Sequence, residues 1–599
     1  MDWEQQQRRK RKRFGRSSSH VQFLTRRSLF LCLAFFAFLL FLSSSRWFSI
    51  AAASFRPVLD VSSTTLSRLS TSASKSTLDN SLSGKYSPLR IERRVLFPDH
   101  LLLMVTGEFS RDEKLDCLYH KSVARDLKQE TLKQSVLSTD RYDEFRSIAR
   151  CPLPPRNYSA SAVDLRWVGV EADDHWLVRN RHPVASWERV VYEAAIDGDT
   201  VVVFAKGLNL RPHKESNPTE FSCHFRLRNS NNNGDYVLTT KAVTAAQEII
   251  RCSLPAGVSS TLDKEKGIRV TVGRGSVNTK AHLQVTLPSV ARLSISKLNE
   301  LQRNQEKHEL CVCTMVWNQA AALREWIMYH AWLGVGRWFI YDNNSDDDIE
   351  EVVRELNLEN YNISRLTWPW IKTQEAGFSH CALRARDECK WVGFFDVDEF
   401  FYFPSKYRRQ QAYHTAGRNA LHSLIANSSA STSNSTTIAE IRTACHSFGP
   451  SGLTSYPPQG VTIGYTCRLQ SPERHKSFVR PDLLDPTLLN VVHHFRLKRG
   501  SGFFDVPKSN AVINHYKYQV WETFRSKFFR RVATYVVDWQ EAQNEGSKDR
   551  APGLGTEAIE PPNWRLQFCE VWDTGLRDFV QTLFSDPLTG YLPWEKASG

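Results

Sequence analysis

No CxxC pair occurs among the twelve cysteines, so the usual framework of a structural zinc site is missing. Aromatics are scarce between about residues 46 and 90, where SSTTLSRLSTSASKSTLDNSLSG shows no apolar period. Such a stretch cannot build a core and reads as a flexible stem. Acidic residues are nearly absent from the N-terminus: residues 1–27 set nine Lys/Arg against Asp2 and Glu4, so +7 of the net +14 lies there. The RRKRKR run at Arg8–Arg13 would by itself suit a nucleic-acid arm. The other +7 is spread thinly over the rest of the chain, and no nucleic-acid partner is expected.

Charge is also missing from the 18 residues between Arg27 and Arg46, SLFLCLAFFAFLLFLSSS. At about 1.5 Å per residue they reach roughly 27 Å, enough for a thin bilayer. The basic flank keeps the N-terminus cytosolic. The expectation is a cytosolic tail at 1–27, a transmembrane signal anchor at 28–45 and a stem at 46–94, as in a single-pass type II protein of the Golgi membrane. A cleaved signal peptide, suggested by Ala51–Ala53, is the rival, but the charged segment before the apolar run is long for one. Sequons at Asn157, Asn362, Asn427 and Asn434 fit a lumenal body, while the one at Asn343 falls inside the candidate site. With Cys32 in the anchor, eleven cysteines face an oxidising lumen, which leaves one free or bridging a homodimer. The expected bridges are Cys223–Cys252 and Cys445–Cys467.

What is present falls into two grammars. From about 95 to 295, short β-rich runs alternate with turn signals and no long amphipathic helix intervenes, which predicts an all-β, sandwich-like domain. Its Trp167, Trp176 and Trp187 fit a core better than a sugar platform. From about 300 to 590 the order becomes strand, helix, strand: ELCVCTMVW, ALREWIMYHAWLG, RWFIYD, DDIEEVVREL and then WVGFFDVDEFFYF. This alternation predicts a parallel sheet with ligands at the strands' carboxyl ends.

The last run, Trp391–Phe403, is apolar except for Asp396, Asp398 and Glu399. Buried unpaired carboxylates are costly, and a divalent cation between Asp396 and Asp398 would remove that cost. Asp342 closes the second strand, where it can meet a ribose or uracil or serve the next helix as a cap. The EF-hand start Asp342-x-Asn344-x-Asp346 fails at Asp347, where Gly is needed, and at Val353, where Glu belongs. An aspartyl phosphotransferase is excluded by Phe400, which stands where such enzymes need a small hydroxyl residue. Trp368, Trp370, Lys372, Gln374 and His380 read as a sugar-binding loop, with Arg384 and Arg386 able to meet phosphates.

CVCTMVWNQAAALREWIMYHAWLGVGRWFIYDNNSDDD, WPWIKTQEAGFSHCALRARDECKWVGFFDVDEF and INHYKYQVWETFRSKF closely resemble plant members of glycosyltransferase family 92, which includes pectic β-1,4-galactan synthases. The resemblance covers about residues 300–540. It implies a GT-A fold, a UDP-sugar donor (UDP-galactose in the plant relatives), Mn2+ or Mg2+, inversion at the anomeric carbon, and a cell-wall polysaccharide or glycan acceptor. It also implies that the β domain binds carbohydrate. By the same resemblance Asp396 and Asp398 hold the metal and Asp342 meets the nucleotide. A C-terminal histidine completes the metal set, His515 ahead of His493 or His494. Asn318, Lys372 and Lys517 are further donor-binding candidates, and Lys517, Arg525 and Lys527 could neutralise the diphosphate. The base stays open among Glu399, Glu440 and Asp505. The alternative is a catalytically inactive polysaccharide-binding or scaffold protein.

Overall fold

The computed structural model describes residues 89–107, 109, 114–121, 131–169, 183–208, 210–211, 214–228, 235–259, 267–275, 285–293, 306–404, 417–430, 436–527 and 560–595. The expected tail, anchor and most of the stem lie outside these residues, as do Trp176 and Asn434. No described helix is long and apolar enough to cross a membrane.

The β half is built in two parts. A five-stranded sheet (strands at Arg90–Leu96, His100–Thr106, Ser138–Arg141, Arg146–Pro152 and Val184–Ser186) faces a three-stranded one (Leu115–Lys121, Thr131–Ser135 and Tyr158–Trp167). Leu101, Leu103, Tyr119 and Val163 fill the space between them, and Cys117–Cys151 pins the faces together. This is the expected sandwich, although its first strand begins at Arg90, within the segment read as stem. Residues 191–293 depart from the expectation. Their eight-stranded sheet joins its own ends through the bridge Val191↔Ser289 and closes around Val201, Val203, Phe225, Ile250 and Val270. A register shift between Ala242 and Thr244 in the long strand Asp235–Ala246 helps the sheet curl. Cys223–Cys252 forms here as expected.

The α/β half follows the order β1 (His308–Val316), α1 (Ala320–Trp332), β2 (Arg337–Asp342), α2 (Ile349–Leu358), β3 (Ile363–Thr367), α3 (Gln374–Glu388), β4 (Cys389–Phe394) and β5 (Glu399–Tyr402). Then come α4 (Ala420–Ala430), β6 (Thr437–Ser447), β7 (Arg474–Val479), β8 (Ser501–Asp505), β9 (Val512–His515) and α5 (Gly575–Phe584). The sheet runs β3-β2-β1-β4-β7-β6-β9-β5, with β8 on β6. Strands β3, β2, β1 and β4 are parallel, and β7 turns antiparallel against β4. The chain leaves β1 toward β2 on one side, whereas β4 lies on the other. This is a switch point, where a crevice opens beyond the carboxyl ends of the strands. Two disulfides, Cys311–Cys389 and Cys313–Cys381, tie β1 to β4 and to α3.

The expected Cys445–Cys467 bridge is not formed. Cys467 pairs with Cys569, because the short strand Cys467–Arg468 lies against Val571–Trp572. Cys445 remains a buried free thiol in β6. One apolar core is common to both halves: Phe97, Leu102, Tyr192 and Phe204 of the β half pack with Phe339, Trp368, Trp370 and Phe378 of the α/β half. Trp368, Trp370 and His380 therefore serve packing, not an open sugar loop. The Tyr341 hydroxyl meets His380 Nδ1 at 2.7 Å, and burial pushes that imidazole down to about 3.

Candidate active site

Strand β4 stops at Phe394, and the chain turns through Asp396–Asp398 before β5 starts at Glu399. The carboxylates thus sit on a turn beyond the strand's carboxyl end. Helix α1 supports the far side of that turn: Trp326 Nε1 donates to the Glu399 carbonyl at 3.1 Å and the Tyr329 hydroxyl to Phe401 O at 2.5 Å. Strand β5 pairs with β9 so that Glu399 faces His515, and Tyr516 N–H donates to the Asp398 carbonyl at 2.8 Å. This pairing brings His515 to the turn from more than a hundred residues downstream.

The ligand atoms of Asp396, Asp398 and Glu399 all lie within 4.8 Å of one another. Those of Glu399, Cys445 and His515 do as well. His515 Nε2 stands 3.5 Å from Asp398 Oδ1, and its Nδ1 3.6 Å from Glu399 Oε1. Carboxylate oxygens with one imidazole suit Mn2+ or Mg2+ well, so the residues present fit the implied ion. Two lysines share the cluster. Lys527 Nζ is 2.7 Å from Asp398 Oδ2. Lys476 Nζ, almost fully buried, is 2.5 Å from Glu399 Oε1 and 3.3 Å from Asp396 Oδ2. It also donates to His493 Nε2 at 2.6 Å, while His493 Nδ1 donates to the Phe394 carbonyl at 2.9 Å, which fixes a neutral ring.

Burial disfavours every charge here, and the neighbours decide which survive. Burial raises Asp398, but Lys527 and His515 outweigh it and hold the carboxyl far below its usual range. Asp396 is likewise held down, by Lys476 against burial. Glu399 goes the other way: burial raises it and Lys476 offsets only part. Burial and Lys476 together keep His493 well below the ordinary imidazole value.

Other expected site residues are placed elsewhere or already engaged. Asp342 is 2% exposed; its Oδ2 accepts Arg365 Nε at 2.8 Å and its Oδ1 accepts Ser345 N–H at 3.0 Å. It organises its loop while helix α2 starts without a side-chain cap. Asn318 locks onto the same loop, accepting Asp346 N–H at 2.9 Å. Lys372 lies over the Trp187 ring and Lys517 over Tyr518, the latter also 3.2 Å from Glu473. Arg386 pairs with Asp197 of the β half and is not free for a phosphate. Among the expected bases, Glu399 and Glu440 have no exposed surface. The Glu399 carboxylate accepts the Asp396 N–H at 2.9 Å and so shapes the turn. Against burial, His494, Arg442 and Ser477 draw Glu440 down to about 2. Asp505 is exposed on β8, in register with Arg442.

Two contributors escaped the sequence reading. Lys476 is a charge beside Ser477 and the apolar Phe478 and Val479 of β7, a weaker form of the signal that exposed Asp396 and Asp398. Glu473 precedes it, accepts the Ser447 hydroxyl, and lies next to His515 because Ser447 and His515 are register partners. It keeps 34% of its side chain exposed.

A family model described as glycosyltransferase family 92 matches residues 306–561. A glycosyltransferase family 92 protein of Ricinus communis is 58% identical over 595 residues, covering 99% of this chain and 100% of its own length. One of Arabidopsis thaliana is 55% identical over 593 residues, 98% of both chains. A galactan beta-1,4-galactosyltransferase of Arabidopsis thaliana, GALS2, is 26% identical over 225 residues, 33% of this chain and 43% of that one. With a carboxylate turn at the switch point and full-length similarity of this degree, the chain belongs to glycosyltransferase family 92.

Proposed function

We propose that this glycosyltransferase transfers galactose from UDP-galactose to a cell-wall polysaccharide or glycan with inversion, as a GT-A enzyme anchored in the Golgi membrane by residues 28–45. The observation that carries the reading is the convergence of Asp396, Asp398, Glu399 and His515 beyond β4. The galactan beta-1,4-galactosyltransferase relative supports galactose.

Asp396, Asp398 and His515 would hold the divalent ion, which when bound supplies Lewis-acid stabilisation of the departing nucleoside diphosphate. The chain's own groups do the rest. Glu399 fixes the turn through the Asp396 N–H, and Lys476 balances the buried charge. Lys527, next to Asp398 and partly exposed, is placed to neutralise a diphosphate. Inversion requires a base that removes the proton of the acceptor hydroxyl. Glu473 fits that role better than Glu399 or Glu440, because it is open to solvent and is held by Ser447, the register partner of His515. Burial raises its carboxyl, but Ser447 and Lys517 bring it below the ordinary value.

A donor screen with the full chain, Mn2+ and wall oligosaccharides, followed by mass, tests the reading. A hexose increment that disappears in Asp398→Ala supports it. Undiminished turnover in that variant contradicts the metal assignment, and an increment of another mass contradicts galactose.

A further inference from the structure

Several polar contacts between the two halves fall on loops beyond the carboxyl ends of the α/β strands. After β2, Asn344 accepts Arg150 Nη2 of the β half at 2.9 Å. Asn344 has φ +64°, a left-handed conformation that Asn tolerates better than most residues, and its amide also donates to Pro369 O at 3.0 Å. Arg150 Nη1 lies 2.5 Å from Asp140 Oδ2, and Asp140 Oδ1 lies 3.2 Å from Arg365 Nη2, the arginine that grips Asp342. After β3, Lys206 Nζ donates to Lys372 O at 3.0 Å and Trp370 Nε1 to the Tyr142 hydroxyl at 3.3 Å. A third loop, leading to His493, is held by Gln247, whose Nε2 donates to Asn490 O at 2.7 Å and whose Oε1 accepts Asn490 N–H at 3.2 Å.

A binding module tethered by a linker needs none of these contacts. Simple packing would be satisfied by the common apolar core. Instead, charged groups of the β half that are mostly buried reach past that core to the loop of Asp342, Asn344 and Ser345. We infer that Arg150 and Asp140 are positioning residues for nucleotide-sugar binding, so that the β half forms the outer wall of the donor site as well as any glycan surface it carries. The inference rests on the proposed UDP-sugar reading, in which the loop that Asp342 and Asn318 hold in shape lines the nucleotide. Holding a loop in its binding conformation lowers the ordering cost of binding and acts on affinity more than on the chemical step.

The test is a double-mutant cycle in the full chain with Arg150→Met and Asn344→Gly, the glycine keeping the left-handed backbone accessible. Each single variant is expected to raise the KM for UDP-galactose and the Kd for UDP about tenfold, with kcat within twofold. The double variant is expected to be no worse than either single one. Amide hydrogen exchange in residues 343–346 should speed up in Arg150→Met. Unchanged UDP affinity in the variants overturns the inference, as does a fall in kcat at constant KM, the signature of partial unfolding. Additive effects in the double variant overturn it too. Wild-type protein that binds no UDP overturns the donor reading itself, an outcome visible before any variant is compared.

Discussion

Replacing Lys476 by Met should expose how the carboxylate turn is held. The lysine is a buried ammonium with Glu399 at 2.5 Å, Asp396 at 3.3 Å and His493 Nε2 at 2.6 Å. Methionine keeps the volume and removes the charge. Deleting one partner of a buried ion pair usually costs about 3–5 kcal/mol, since the other charge is stranded. Glu399 can escape by taking a proton. Its carboxyl already sits above the ordinary value because of burial, and losing Lys476 removes the largest influence that lowers it. A carboxyl whose folded pKa exceeds its unfolded one destabilises the fold as pH rises from the unfolded toward the folded value. The deficit of Lys476→Met should therefore be larger at high pH and shrink by about 1.4 kcal/mol for each pH unit on going down from the new Glu399 value to the wild-type one. Denaturant unfolding of wild type and variant at about pH 5 and about pH 8 measures this, and Mn2+ should return part of the loss by supplying a cation to the same carboxylates. A deficit below about 1 kcal/mol at the higher pH, or one independent of pH, would refute the reasoning.

Four further outcomes are expected. Glu325 is raised to about 7 by burial, although Thr462 and Val461 donate to it, so its ionisation should cost about 3 kcal/mol of stability above neutral pH. Between about pH 5 and about pH 8 wild type should therefore lose stability relative to Glu325→Gln. Gly460→Ala should lower the melting temperature, since its Cβ would lie 2.5 Å from the Glu325 carboxylate at a φ of +105°. Thiol labelling with peptide mapping should find Cys445 modified only after unfolding and Cys467 not modified without reduction. Glu473→Gln should reduce kcat at least about a hundredfold while donor KM and Mn2+ affinity stay put, whereas equal losses in kcat and Mn2+ binding would assign it to the metal site instead.

The α/β order was legible because the apolar runs are long and the helix between them is stopped by Gly334, whose φ is +111°. Asp396 and Asp398 were legible because a charge in an apolar aromatic run demands compensation. The closure of residues 191–293 was not, because strand periodicity reports which face is buried and says nothing of what the sheet's ends meet. Cys467 was assigned to its neighbour in sequence, while its real partner, Cys569, is brought up by a strand pairing that spacing cannot reveal. Glu440 and Glu399 looked equally available in sequence, and only the burial created by β6, β7 and β9 removes them from reach of an acceptor. Lys476 carried a like signal, but a single lysine in RHKSFV, with only Phe478 and Val479 apolar, is weaker than three carboxylates among ten.

The central claim is that the turn beyond β4 holds a divalent cation together with a nucleotide diphosphate. Calorimetric titration of Mn2+ into the full chain, with and without UDP, tests it in wild type, Asp396→Asn and Asp398→Asn. The account predicts one Mn2+ per chain in wild type, tighter with UDP present, and at least a tenfold loss of Mn2+ affinity in each variant. Wild-type Mn2+ affinity in both variants would contradict it.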